Sequence, residues 1–476
     1  MGPARGSTNL SPPRLGRVNN APEHTSSEAS AKSLNRQILA LALPAFGALI
    51  SEPLFILADT AIVGHLGTPQ LAGLSVASTV VQTVIGLMIF LSYSTTPAVA
   101  KFFGARNLKA AYEKGRDGLW VAFGLGLVLA IAGWILAPAV LGMMGAQKET
   151  LEHAVAYMRW SMPGLPGMLI VLAALGILRG LQDTKTPLYV AATGAAVNVI
   201  LNMILVFPLH LGVAGSAMGT SLVQWGMAAV YLVMIVGGSR DHDVCWTTSP
   251  SRVGAILSVG SWLMLRTASM RAAMLLTVLV VTHQGPVNLA AYQLTMSLFG
   301  FMAFGLDALA IAAQALLGKE MGSRNLSLPS EKEHVRRLMN RLIRWSVGFG
   351  VITGLICPII GYGFGWAFTP DPHVQQLFGA AMIVVAIGQP LASYVFILDG
   401  VLIGAEDVKY LALASFISLV IYAPMLWGVF AFSADRGGDV DPRGFVWVWI
   451  AYAMGFMGLR GITLGWRSRS NVWIRA

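Results

Sequence analysis

Twelve long apolar runs, each closed by a short polar break, decide what this chain can fold into. They occupy roughly residues 34–63, 71–100, 118–142, 153–178, 187–209, 213–237, 253–282, 288–317, 342–367, 375–402, 409–433 and 444–466. About 20 apolar residues cross a bilayer as a helix, and each run is long enough. An open sheet would leave its backbone edge unsatisfied in lipid, so every crossing is expected to be helical. Composition agrees. Only 11% of the 476 residues are charged, whereas a soluble domain carries about 25%. So few charges cannot cover a water-exposed surface of this size. An ordinary soluble enzyme, a disordered chain and a coiled coil are excluded.

The basic residues are sorted by side. Of 32 Lys and Arg, 26 lie in the two tails, in the breaks after even-numbered runs or in the run ends beside them, against Lys148, Arg436 and Arg443 on the other side. Arg159, Arg266 and Arg271 lie within runs. The positive-inside rule then puts both termini in the cytoplasm. The expected setting is the inner or plasma membrane of a bacterial cell. The net charge of +10 is spread over short loops rather than one soluble face. Lipid, not nucleic acid, is the expected neighbour. Residues 1–33, rich in Ser, Pro, Asn, Arg and Gly, read as a disordered tail with no cleavable leader. Cys245 and Cys357 have no His at metal spacing and read as free thiols, so neither a metal site nor a cofactor is expected.

The chain repeats itself. HLGTPQLAG from His65 matches HQGPVNLAA from His283, and KFFGARN from Lys101 matches KEMGSRN from Lys319, all at one offset of 218 residues. RGLQD from Arg179 pairs with IGAED from Ile403 at an offset of 224. Six crossings per copy is an even number, so the copies are parallel. Such repeats occur in secondary transporters, with the substrate cavity between halves. The expected organisation is a lobe over 34–240, a linker over 241–252, a second lobe over 253–466 and a tail over 467–476. His65 and His283 recur in equivalent breaks, which reads as shared turn geometry rather than two metal sites.

The few polar groups inside the runs are the functional candidates. Asp59 sits in the first run, where a charge costs roughly 2.5–3.5 kcal/mol and usually faces a cavity. Low dielectric favours its protonated form, so it can take up and release a proton. Glu52 lies seven residues earlier on nearly the same face. It reads either as a second ion ligand or as a partner for a polar neighbour. Pro44 and Pro53 can bend this helix. Asn198 and Asn202 share a face of the fifth run, and Thr220 lies on the sixth. They are either packing glue or a site. In the second half, Asp307 and Gln314 share a face, Asp399 lies on the tenth run, and Arg266 and Arg271 lie on the seventh. Here an ion pair of one arginine with Asp307 or Asp399 competes with a second proton or substrate site.

The chain resembles the multidrug and toxic compound extrusion (MATE) transporters, and most of all their DinF-type branch. The resemblance rests on LALPAFGALISEPLFILADTAIVGHLG, GILRGLQDTKTPLY, NVILN and FGLDALAIAAQALLGKEMG, and covers roughly residues 34–466. It implies an all-helical, two-lobed antiporter, functional as a monomer, that exports organic, often cationic, compounds against an inward proton or sodium gradient. It further implies that Asp59, in its ADT context, is the first lobe's cation or proton site, and that protonation changes the bend of the first helix. Relatives carry an acid four residues after the fifth-helix Asn. Here Asn202 stands at that position, which weakens a sodium reading. Two other readings compete. A lipid-linked oligosaccharide flippase would use Arg266 and Arg271. A membrane-embedded enzyme would need Asp183, Glu406 and Asp407 assembled around a metal. No Walker motif or catalytic triad pattern is present.

Overall fold

The computed structural model describes residues 23–434 and 442–474. Twelve helices cross the molecule. They are α1 (Glu23–Gly64), α2 (Thr68–Gly104), α3 (Leu108–Met143), α4 (Lys148–Gly180), α5 (Lys185–Val206), α6 (Gly212–Arg240), α7 (Pro250–His283), α8 (Pro286–Ser323), α9 (Pro329–Gly363), α10 (Pro372–Gly404), α11 (Val408–Ala434) and α12 (Arg443–Arg469). Each expected run falls on one of them. Residues 1–22 of the expected tail and Arg436 lie outside the described residues.

Two helices start earlier than hydropathy indicates. α1 begins at Glu23, not at Leu34. α9 begins at Pro329 rather than near 342, because its first turns are amphipathic rather than apolar. Val335, Leu338, Met339 and Leu342 are buried at helical spacing, while charged residues fill the other face. The chain after 466 is also no free tail. α12 continues to Arg469, Trp473 is buried, and Arg336 Nη2 donates to the Arg469 carbonyl at 2.8 Å.

Packing repeats with the sequence. α1 lies on α5 as α7 lies on α11, α2 on α4 as α8 on α10, α3 on α4 as α9 on α10, and α4 on α6 as α10 on α12. The turns repeat too. His65 Nδ1 bonds the Ala61 carbonyl at 2.7 Å and His283 Nδ1 that of Leu279 at 2.8 Å. The glycines that follow, Gly67 and Gly285, have φ of 135° and 110°, a region that favours glycine. The shared-turn reading of the two histidines accounts for both.

The lobes meet where α8 packs on α1 and α2, and where α7 packs on α2 and α3. At the basic end the repeats touch backbone to backbone. A Cβ on Gly104 of α2 would overlap the Lys319 carbonyl oxygen, and one on Gly322 of α8 would overlap that of Lys101. These are the repeat-equivalent KFFGARN and KEMGSRN segments, reciprocally paired. Gly318 likewise lies against Ala100 and Pro97. The expected linker is held to the first lobe. Asp117 of α3 accepts from Thr248 Oγ1 at 2.8 Å, and Trp120 Nε1 donates to the Trp246 carbonyl at 3.0 Å. Arg116 Nη1 donates to the carbonyl of Cys245.

Candidate functional site

Four polar side chains of the first lobe form one buried cluster. α1 brings Asp59, α5 brings Asn198 and Asn202, and α6 brings Thr220, because α5 packs against both α1 and α6. Asn198 and Asn202 are fully buried and Asp59 is 6% exposed. Asn202 Nδ2 donates to Asp59 Oδ1, and Thr220 Oγ1 donates to Asp59 Oδ2 at 3.2 Å. Asn198 Nδ2 donates to Thr220 Oγ1 at 3.0 Å, and Asn202 Nδ2 also reaches Asn198 Oδ1 at 3.3 Å. Gly219 of α6 makes room, since a Cβ there would overlap Asn202 Oδ1.

Three features of this cluster bear on chemistry. Asp59 is held by an amide and a hydroxyl, with no ion pair to a Lys or Arg among the described residues. Asn202 Oδ1 is buried and has no hydrogen-bond partner among the described residues. Tyr157 of α4 lies within electrostatic reach of Asp59. A lone carboxylate with neutral partners can change protonation without breaking an ion pair. An orphaned acceptor beside it costs about 1–3 kcal/mol unless a donor arrives.

Pro44 and Pro53 both sit inside α1. Pro44 has no N–H to offer the Ala40 carbonyl. Thr184, in the turn before α5, fills the gap with its Oγ1 donating to that carbonyl at 3.3 Å. That bond ties α1 to the turn before α5. The side chain of Glu52 lies outside the described residues.

The second lobe uses the equivalent place differently. The residue 218 after Asp59 is Thr277, and the residue 224 after Asn198 is Tyr422. Thr277 Oγ1 and Tyr422 Oη lie 2.7 Å apart and bond directly, whereas Asp59 and Asn198 are joined through Asn202 and Thr220. Tyr422 is then covered by Phe456, 5.4 Å between ring centres, and Phe456 stacks on Tyr452 at 5.9 Å. An apolar, aromatic seal with a neutral hydrogen bond replaces the carboxylate cluster.

The charges of the second lobe lie elsewhere. Asp399 of α10 pairs with Arg266 of α7 at 2.6 Å, as one of the sequence alternatives required. It also pairs with Arg460 of α12, at 2.5 and 2.6 Å. Arg460, counted above among the basic residues of one side, is instead 1% exposed inside α12. Asp307 lies within electrostatic reach of Arg266, Arg179 and Asp399. Gln314 is buried where α8 meets Gly404 of α10. Arg271 lies against Gly86 of α2. Sequence reasoning missed Tyr93 and Arg179. Arg266 Cζ stands 5.8 Å from the Tyr93 ring centre, and Arg179 Nη1 donates to Ser92 Oγ at 3.2 Å.

The acids that an enzyme would need are not assembled. Asp183 accepts from the backbone of Lys185 and Thr186 at the start of α5, and Asp407 pairs with Arg467 at 2.6 Å. Both occupy equivalent turns, with Gln182 and Glu406 at φ of 67° and 58°.

The sequence pattern of the MatE family matches residues 44–204 and 263–427, one stretch in each half. Protein DETOXIFICATION 44, chloroplastic, of Arabidopsis thaliana is 27% identical, covering 95% of this chain and 86% of its own. DNA damage-inducible protein F of Escherichia coli (strain K12) is 25% identical, covering 93% of this chain and 95% of its own. Among solved structures, a crystal structure of MATE in the bent conformation superposes with a TM-score of 0.80 at 21% identity, over 92% of this chain and 95% of that one.

Proposed function

Since the chain belongs to the MatE family of multidrug and toxic compound efflux transporters, we propose that it exports small organic compounds in exchange for protons, with Asp59 as the proton carrier. The observation that carries this reading is the pairing of an ion-pair-free buried carboxylate with an orphaned acceptor, Asn202 Oδ1. Ionised, Asp59 accepts from Asn202 and Thr220. Protonated, it becomes a donor, and Asn202 can turn its amide to present Oδ1. That turn breaks the bond from Asn202 to Asn198 and shifts α1 against α5. Pro44 and Pro53 let α1 bend rather than move as a rod.

Coupling then requires only that proton and substrate favour different lobe arrangements. The parallel repeats suit such rocking. The reciprocal Gly104 and Gly322 contacts form a flat seam that can part, at the basic end of the bundle. By the positive-inside rule that end faces the cytoplasm of a cell membrane, and the seam is its closed gate. Protons are favoured over sodium because Asp59 is the one carboxylate among the described side chains of its cluster, and a sodium site wants more negative oxygen. The lobes belong to one chain, so a monomer suffices. A flippase reading that needs both Arg266 and Arg271 for a pyrophosphate loses support, since Arg266 already pairs with Asp399 and only Arg271 is left without an acid among the described residues.

The test is efflux of a dye panel from proteoliposomes under separately imposed proton and sodium gradients. A proton gradient alone is expected to drive efflux. Efflux driven by sodium alone would overturn the proton reading.

A further inference from the structure

The charges between the lobes do not balance. Arg179, Arg266, Arg271 and Arg460 face two carboxylates, Asp307 and Asp399. Asp399 is spent on Arg266 and Arg460. Arg179 has a serine hydroxyl but no carboxylate within ion-pair distance, and Arg271 has no hydrogen bond or ion pair, among the described residues. Arg266 Nε and Arg460 Nε and Nη1 are buried without a partner, although these residues are only 8% and 1% exposed. Asp307, half-buried, accepts no hydrogen bond among the described residues.

Three of these arginines line one stretch of α2. Arg271 lies at Gly86, Arg266 over Tyr93 and Arg179 on Ser92. Gly86 and Tyr93 are seven residues apart on nearly one face of α2, about 10 Å at 1.5 Å per residue, the length of a small organic molecule. The stretch lies toward the middle of α2 from the seam at Gly104 and Lys319, and the arginines on it come from both lobes. Unpaired guanidinium groups within a membrane bundle mark a substrate path or a water-filled cavity. Guanidinium forks match carboxylates two bonds at a time.

We propose that the floor of the inter-lobe space binds the anionic group of the exported compound, a carboxylate or sulfonate, between Arg271 and Arg179 with Arg266 and the Tyr93 ring beside it. This rests on the efflux reading and assigns its substrate class, organic anions. Asp307 and Asp399 are the acids near the site that oppose an anion, and Asp399 is neutralised by Arg266 and Arg460. The nearness of Asp307 to Arg266 and Arg179 offsets its charge.

The test uses full-length protein in nanodiscs of phosphatidylcholine, which carries no net charge, with fluorescein as the anionic probe and ethidium as the cationic one. Saturable fluorescein binding is expected, weakened at least tenfold in Arg271→Gln and in Arg179→Gln and largely kept in Arg271→Lys. Arg271 is exposed and Arg179 buried, so monodispersity of both glutamine variants separates lost binding from misfolding. Absence of saturable fluorescein binding, tighter binding of ethidium, or equal fluorescein binding by wild type and both glutamine variants would overturn the proposal. Displacement of fluorescein by added phosphatidylglycerol would assign the arginines to a lipid headgroup and also overturn it. Binding is read without any gradient. If Asp59→Asn leaves coupled transport intact while the arginines still hold fluorescein, the proton-carrier reading fails and the anion site stands.

Discussion

Gly104 and Lys319 are in backbone contact across the lobes: the Lys319 carbonyl oxygen fills the space that any side chain at position 104 would need. Gly322 and Lys101 repeat the contact with the halves exchanged. Neither neighbour is a flexible side-chain tip, so neither can give way. Gly104→Ala and Gly322→Ala should therefore keep this end from closing. Each is expected to cut efflux at least tenfold and to raise labelling of nearby engineered cysteines from the basic side. Wild-type efflux in both variants would show that the seam is dispensable.

The linker between the lobes should act as part of the first. Arg116 and Asp117 are 2% and 1% exposed and paired at 2.6 Å, and Asp117 also accepts from Thr248. Asp117→Ala leaves a buried guanidinium without its partner, which costs about 3–5 kcal/mol. Thr248→Ala leaves the pair intact and costs about 1.5–3 kcal/mol, the range for a hydrogen bond to a charged group. Thermal unfolding in detergent should rank them in that order. The reverse ranking would mean that the clamp does not hold the linker.

The two acids of the second lobe should part in the same assay. Asp399 neutralises two buried arginines, so Asp399→Ala is expected to destabilise by about 3–5 kcal/mol. Asp307 has no hydrogen bond or ion pair among the described residues, so Asp307→Asn should stay within about 1 kcal/mol of wild type. Comparable losses would contradict this division.

Thr277 and Tyr422 hold the second lobe's counterpart of the Asp59 cluster without a titrating group. Tyr422→Phe removes one buried hydrogen bond and should cost about 1 kcal/mol. The ratio of protons to substrate moved should not change. A changed ratio would mean that the aromatic lobe takes part in coupling.

Much of this was legible in the chain. Lipid forces helices, so the apolar runs, their number and the repeat followed from pattern alone. Asp59, Asn198, Asn202 and Thr220 were each visible as costly polar groups, and they do converge. What stayed hidden was partner choice between distant helices. These helices are apolar on most faces, so periodicity does not say which side meets which neighbour. Arg460 shows the effect: six residues from the end of its run, it looked like an anchor and is instead buried against Asp399. Tyr93 and Arg179 were passed over because a tyrosine and a helix-end arginine are ordinary there. α9 began early because amphipathic turns escape a hydropathy count.

The central claim is that Asp59 carries the proton. The direct measurement is substrate-evoked proton movement in proteoliposomes with an imposed pH gradient, comparing wild type, Asp59→Asn and Asp307→Asn. Asp59→Asn keeps the shape and a hydrogen-bonding amide but cannot ionise. It should abolish proton movement and uphill efflux together, while Asp307→Asn keeps both. Proton movement at the wild-type level in Asp59→Asn would contradict the claim.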